Sequence, residues 1–243
     1  MKIAIGIPAR YESTRFPGKP LADLAGRPMI AHVIERAKAA GIGEVYIATD
    51  DGRIAAVARE YGAEVRMTRP DHNSGTERLA EAMREIDCDV VINVQGDEPL
   101  IDPEAIRAVV EPFRHDHTLS MATLAHPIQS DEDFNDPNVV KVVCDAKGHA
   151  LYFSRAPIPF PRNPGGITDA GPLQHVGLYA YRKEFLLIYP GLTPCETEQV
   201  ESLEQLRVLH HGYSIAVNSG NFKCIGVDTP EDLARAAKII SAS

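Results

Sequence analysis

The chain has 243 residues, 44% of them hydrophobic and 24% charged, with a formal net charge of −9. That length suits one α/β domain, or one domain carrying an insertion. The acidic excess argues against a broad surface for nucleic acid or anionic membrane, so an anionic ligand needs a local cluster of cations. No apolar run approaches the roughly 18 residues of a membrane span, and the N-terminus runs straight into a strand without a signal-peptide pattern. The four cysteines, Cys88, Cys144, Cys195 and Cys224, form no CxxC pair. A disulfide framework or structural zinc site is therefore not expected, and a reducing cytoplasm fits best.

In chain order, "IAIGI" at 3–7 predicts a strand, and the basic loop "ARYESTRFPGKP" follows it. "RPMIAHVIERAKAAG" predicts a helix, with Pro28 in its first turn, Ile30, Val33, Ile34 and Ala37 on one face and Gly41 just past its end. Then come a strand "EVYIAT", a helix from about Gly52 to Tyr61 and a strand "AEVRMT". A helix "TERLAEAMREI", a strand "DVVINV" and a helix "DPEAIRAVVEPF" complete the first half. Strand and helix in turn imply βαβ crossovers and a mostly parallel sheet covered on both faces.

From about residue 138 the rhythm changes. "NVVKVVCD" and "HALYFSR" read as two strands joined by a glycine-containing turn. The loop "APIPFPRNPGGITDAGP" is expected to be exposed and mobile. "HVGLYAYR" is a further strand, "ETEQVESLEQLRVLHHG" one helix closed by Gly212, and "SIAVN" with "DTPEDLARAAKII" returns to strand and helix. Residues 138 to about 190 read as an insertion, because chain on both sides of them completes the core.

Ligands of parallel sheets bind beyond the carboxyl ends of the strands. Three polar stretches fall there: Arg10 to Lys19, "QGDE" at 95–98 and "GVD" at 226–228. Their simplest joint reading is a phosphate site, with Arg and Lys on the oxygens and Asp97 and Asp228 holding Mg²⁺. Plainer readings stand beside it. The basic loop also suits a solvated connection, Asp228 suits the dipole of the helix opened by "TPED", and "SGTE" at 74–77 suits a capping box. Asp97 is harder to dismiss as a cap, since Asp102 before Pro103 already fills that role. There is no G-x-G-x-x-G after the first strand, and no P-loop, G-x-S-x-G or H-E-x-x-H. His115, His117, His210 and His211 read as surface residues near helix C-termini.

Taken in order, "IPARYESTRFPGKPL", "VYIATDD", "SGTERLAE", "VINVQGDEPLI", "NVVKVV", "ALYFSRAPIPF", "HVGLYAYR", "LEQLRVL" and "GVDTPEDL" resemble the 3-deoxy-manno-octulosonate cytidylyltransferases over nearly the whole length. The resemblance implies a Rossmann-like nucleotide-diphospho-sugar transferase fold of one domain, 1–243. Its inserted β-rich segment, 138–190, would serve sugar binding and dimerisation. It further implies a cytoplasmic homodimer that makes CMP-Kdo and pyrophosphate from CTP and the sugar acid Kdo, with Mg²⁺, for lipopolysaccharide synthesis. Neither nucleic acid nor membrane is an expected partner. By the same resemblance, Pro8, Ala9, Arg10, Arg15, Lys19, Ser74, Gly75 and Arg78 bind the nucleotide, and Lys19, Arg15, Asp97 and Asp228 are catalytic. Asp97 and Asp228 bind metal, and Gln95, Arg155, His175, Tyr179, Glu204 and Gln205 form the sugar-acid pocket. Glu12 stands where relatives often carry a small residue, and 162–172 carries no assignment. A few pocket side chains could redirect the reaction to sialic acid or an 8-amino relative of Kdo. A non-catalytic nucleotide-binding module would be expected to lack a metal aspartate or Lys19, and all are present.

Overall fold

Ile3–Pro8 (β1) is buried at all but its first residue, as an unbroken apolar run must be when both faces of a strand are covered. It pairs in parallel with Glu44–Thr49 (β2), which in turn pairs with Glu64–Met67 (β3). On its other side lies Val90–Asn93 (β4), also parallel and fully buried. The computed structural model describes residues 1–12, 16–162, 171–222 and 224–241. They form two bodies, one of Met1–Arg107, Tyr181–Pro190 and Lys223–Ser243, the other of Ala108–Ala180 and Gly191–Phe222.

In the first body the strand order is β4-β1-β2-β3. The chain leaves β1 toward one side and returns on the other, which opens a crevice beyond the carboxyl end of β1. The helices follow their predicted signals. Met29–Ala39 (α1) starts after Pro28 and buries Ile30, Val33, Ile34 and Ala37; Gly41 follows at φ 66°, in the left-handed region where glycine is favoured. Gly52–Glu60 (α2) is capped by the Asp51 carboxylate, which accepts from the Arg53 and Ile54 amides. Gly75–Ala82 (α3) is capped by Ser74, whose hydroxyl accepts from the Glu77 amide. The C-terminal helix Pro230–Ser241 is fixed at its start by Thr229 and Asp232, each bonding the other's amide.

The second body is built on strands of both senses. Met121–Pro127 (β5) pairs in parallel with Ile215–Ser219 at the other end of this stretch. Lys141–Cys144 (β6) and Ala150–Ser154 (β7) form the predicted antiparallel pair around Gly148. Leu173–Arg182 (β8) runs antiparallel to β6, and Ile215–Ser219 is β9. Residues 138–180 of the expected insertion belong to this body, whereas Tyr181–Pro190 belongs to the first. Of the proline- and glycine-rich loop expected to be exposed and mobile, 163–170 lies outside the described residues.

Two predicted helices are each broken in two. "DPEAIRAVVEPF" gives Pro103–Ala108 and then Pro112–His115, because Pro112 has no amide to continue the ladder and opens a new helix instead. "ETEQVESLEQLRVLHHG" gives Glu196–Glu201 and Gln205–His210, separated by Ser202 at φ 52°, ψ 50°. Tertiary bonds hold the break. Arg155 Nε donates to the Glu201 carbonyl at 2.7 Å, and the buried Glu198 carboxylate accepts from Arg207 at 2.5 and 2.8 Å. A left-handed non-glycine residue costs roughly 1–2 kcal/mol, partly offset by the chain entropy that glycine would lose. Ser202→Gly should therefore stabilise the protein by about 0.5–1 kcal/mol, read as a higher urea midpoint at unchanged slope.

Candidate active site

Lys19, near the end of the basic loop, starts a short 3₁₀ turn, Lys19–Leu21. Its ammonium donates to Asp97 Oδ2 at 2.8 Å, to the Val227 carbonyl at 2.9 Å and to Asp228 Oδ1 at 3.3 Å. An ammonium has three donors, and all three are engaged. The backbone closes the same corner, because the Val227 amide donates to the Asp97 carbonyl at 2.8 Å. The "QGDE" turn beyond β4 and the "GVD" turn thus reach one cation together.

Glu98 adds a third carboxylate. Its Oε2 is buried without a hydrogen-bond partner among the described residues. Burial, reinforced by repulsion from Asp97 and Asp228 and opposed by Lys19, pushes its carboxyl up to about 7. One ammonium among three acids leaves the corner short of positive charge. The donors are all oxygens, and a hard divalent ion such as Mg²⁺ takes one or two carboxylates and completes its shell with water and substrate phosphate. The residues therefore fit that ion. No group of three or more His, Cys, Asp or Glu side chains able to hold a metal occurs among the described residues.

A cavity in the same body is lined by Pro8, Ala9, Arg10, His72, Ser74, Gly75, Arg78 and Gln95. Two glycines let its walls approach. A Cβ at Gly75 would lie 3.1 Å from Pro8 Cγ, and one at Gly96 only 2.8 Å from the Pro8 carbonyl oxygen. Ser74 both caps α3 and borders the cavity, so the two readings of "SGTE" hold together. Arg10 is exposed and Arg78 is buried. Gln95, expected beside the sugar acid, lines this cavity with the expected nucleotide residues and donates to Asn93 Oδ1 at 3.1 Å. Arg15 lies outside the described residues. His72 was not singled out from the sequence, although it stands two places before Ser74; its Nε2 is 2.5 Å from Glu81 Oε2, a partner no local pattern reveals.

The remaining expected residues belong to the second body. His175 and Tyr179 share a face of β8 with ring centroids 5.4 Å apart, and Phe153 meets His175 edge-on at 5.0 Å. Thr123 Oγ1 is 2.9 and 3.1 Å from the Leu178 and Val176 carbonyls and 3.0 Å from His175 Nε2. The hydroxyl proton goes to a carbonyl, so the imidazole donates from Nε2. Burial pushes this imidazole down to about 3 and keeps it neutral. The Arg155 guanidinium is occupied by backbone, donating to the carbonyls of Glu201, Pro137 and Ser202 at 2.7, 3.0 and 3.5 Å. Glu204 and Gln205 stand at the start of Gln205–His210; Glu204 is exposed, and the buried Gln205 Nε2 has no acceptor among the described residues. The surface placement expected for His115, His117, His210 and His211 is observed.

A family model described as "Cytidylyltransferase" matches residues 3–233. Over 242 residues the chain is 53% identical to the 3-deoxy-manno-octulosonate cytidylyltransferase of Syntrophotalea carbinolica, covering 97% of each protein. The chain belongs to the 3-deoxy-manno-octulosonate cytidylyltransferase family. The relative from Syntrophobacter fumaroxidans is 52% identical over 246 residues, covering 99% of this chain and 98% of the other. A solved CMP:2-keto-3-deoxy-manno-octonic acid synthetase complexed with CTP superposes with a TM-score of 0.93 at 45% identity, covering 100% of this chain and 99% of that one. Membership in this cytidylyltransferase family agrees with the resemblance drawn from the motifs and with the largely parallel α/β architecture. No helix among the described residues is long and apolar enough to cross a membrane.

The lowered His175 value sets a pH dependence. The unfolded imidazole, near its usual 6.5, binds a proton that the folded one refuses down to about 3. Stability is thus full above the unfolded value and lost as pH falls through this window. Between pH 6 and 4.5 the loss from this group should approach about 1.4 kcal/mol per pH unit. Urea titrations of wild type and His175→Asn should differ by that slope; parallel curves would count against a buried neutral imidazole.

Proposed function

We propose that this chain transfers CMP from CTP to the anomeric hydroxyl of Kdo, releasing pyrophosphate and forming CMP-Kdo. The carrying observation is that the "QGDE" turn supplies Gln95 to the cavity and Asp97 to the Lys19–Asp228 cluster. One turn thereby links the hollow to the Lys19 corner.

In this reading the cavity takes the nucleoside of CTP, against Pro8, Ala9, Ser74, Gly75 and Arg78. Arg10, Arg15 and Lys19 neutralise the triphosphate. Asp97 and Asp228 would hold Mg²⁺, which would supply positive charge toward the phosphates and ease loss of the attacking hydroxyl's proton to solvent. Lys19 then exchanges its aspartate partners for phosphate oxygens. The Kdo oxygen forms its bond to the α-phosphorus as the bond to the β-phosphate oxygen breaks, and pyrophosphate departs in line. Arg15 and Lys19 stabilise the charge that develops on it. Arg155 offers a planar fork to the Kdo carboxylate once released from the backbone carbonyls it now holds. His175, Tyr179, Glu204 and Gln205, and separately Gln95, are read as residues that contact the sugar acid. The same reading includes a cytoplasmic homodimer serving lipopolysaccharide synthesis, with residues 138–190 contributing to sugar binding and dimerisation.

Pyrophosphate release should require CTP, Mg²⁺ and Kdo together. Release with sialic acid or 8-amino-Kdo in place of Kdo would move the substrate within the same reaction, and CTP binding without turnover on any acid would overturn the reaction itself. Asp97→Asn should lower kcat by roughly 10³-fold, the scale on which a transition-state electrostatic contact acts. Its melting temperature should shift little, because the Lys19 pair is partly solvent-exposed.

A further inference from the structure

Arg78, which lines the proposed nucleotide cavity, is paired with Asp50, a partly buried residue that the proposed chemistry leaves unused. Asp50 Oδ1 lies 3.1 Å from Arg78 Nη1, with the two side chains 24% and 4% exposed. The same nitrogen donates to Thr68 Oγ1 at 2.6 Å and to the Arg69 carbonyl at 3.3 Å. Asp50 is the first residue after β2, Thr68 the first after β3, and Arg78 lies in the first turns of α3. Three elements therefore converge on one end of a guanidinium.

The other end, Nε and Nη2, has no acceptor among the described residues, and Arg78 lines the cavity. A buried pair is costly to desolvate, and packing alone would be served as well by apolar side chains. Asp50 Oδ1 accepts no well-aligned hydrogen bond, so it contributes charge and placement more than a bond of its own. What the pair achieves is orientation: with Nη1 tied on three sides, two parallel N–H donors remain for a planar ligand with adjacent acceptors. Phosphate is already provided for by the exposed Arg10 and by Lys19. Cytosine presents O2 and N3 as neighbouring acceptors, whereas uracil carries a proton on N3 and would oppose one donor with another.

We propose that Asp50, together with Thr68, is a specificity-determining positioning residue that holds the free edge of Arg78 for the O2–N3 edge of cytosine and so excludes uracil. This rests on the reading of the cavity as the CTP site. A site built to pair with a ligand's polar edge rejects the mismatched analogue strongly, because its own buried groups are then left unpaired.

The test is calorimetric titration of CTP and UTP, with Mg²⁺ and without Kdo, into wild type, Asp50→Asn and Thr68→Val. Asp50→Asn should weaken CTP at least tenfold and leave UTP within twofold, so the CTP/UTP ratio collapses. Thr68→Val should shift the ratio in the same direction by a smaller factor. Equal losses for both nucleotides, or a ratio within twofold of wild type, would overturn the proposal. Should Asp50→Asn fail to melt cooperatively, the near-isosteric Thr68→Val decides alone. Pyrophosphate release by the wild type from CTP and Kdo is scored separately. An active wild type whose variants keep their base preference refutes the role of Asp50 and leaves the reaction standing. A wild type that binds UTP as tightly as CTP refutes the base readout.

Discussion

The ammonium of Lys19 ties together stretches of chain 78 and 209 residues away in sequence, through Asp97 and Asp228. Without a cation there, Asp97, Glu98 and Asp228 would face one another as three carboxylates in a partly dehydrated corner. Glu98 already registers that strain, with its carboxyl held up near 7 by burial and by its acidic neighbours. The corner is thus built around positive charge, and its acids are spaced to share it.

Close approach of main chain is the second requirement. Pro8 at the end of β1 touches the positions of Gly75 and Gly96, and any side chain at either would push the cavity walls apart. Here local structure and site share the same atoms. Ser74 ends a loop, caps a helix and borders the hollow.

The second body is organised by buried polar anchors. Lys141 has a fully buried side chain whose ammonium donates to the Asp136, Val139 and Arg155 carbonyls at 2.9, 2.6 and 2.8 Å. Desolvation lowers its ionisation, with Asp136 and Glu201 opposing that shift. Glu201 accepts from Ser154 Oγ and from the Arg155 amide, while Arg155 holds the carbonyls of Glu201 and Ser202 in return. This reciprocal bonding fixes the backbone on either side of Arg155 and accounts for the helix break at Ser202.

Strand and helix were legible from periodicity, because a covered parallel strand must be apolar throughout and an amphipathic helix must repeat about every 3.6 residues. Gly41, Ser74 and Asp102 marked their helix ends through short-range chemistry, since an end signal and the backbone it serves lie within a few residues. The ordered motifs were also enough to point to the family. The break at Ser202 was not legible, because Arg155 holds it from outside the helix and the Glu198–Arg207 pair spans nine residues, beyond any helical spacing. Nor were His72 with Glu81, Asp50 with Arg78, or the capture of Arg155 by backbone carbonyls. By itself the sequence determined which segments become strands and helices and which residue types could do the chemistry, since both depend on neighbours along the chain. Only the tertiary structure decided which charges meet, which donors remain free and which acid is left without a partner, because electrostatics and desolvation act through space and take no account of sequence separation.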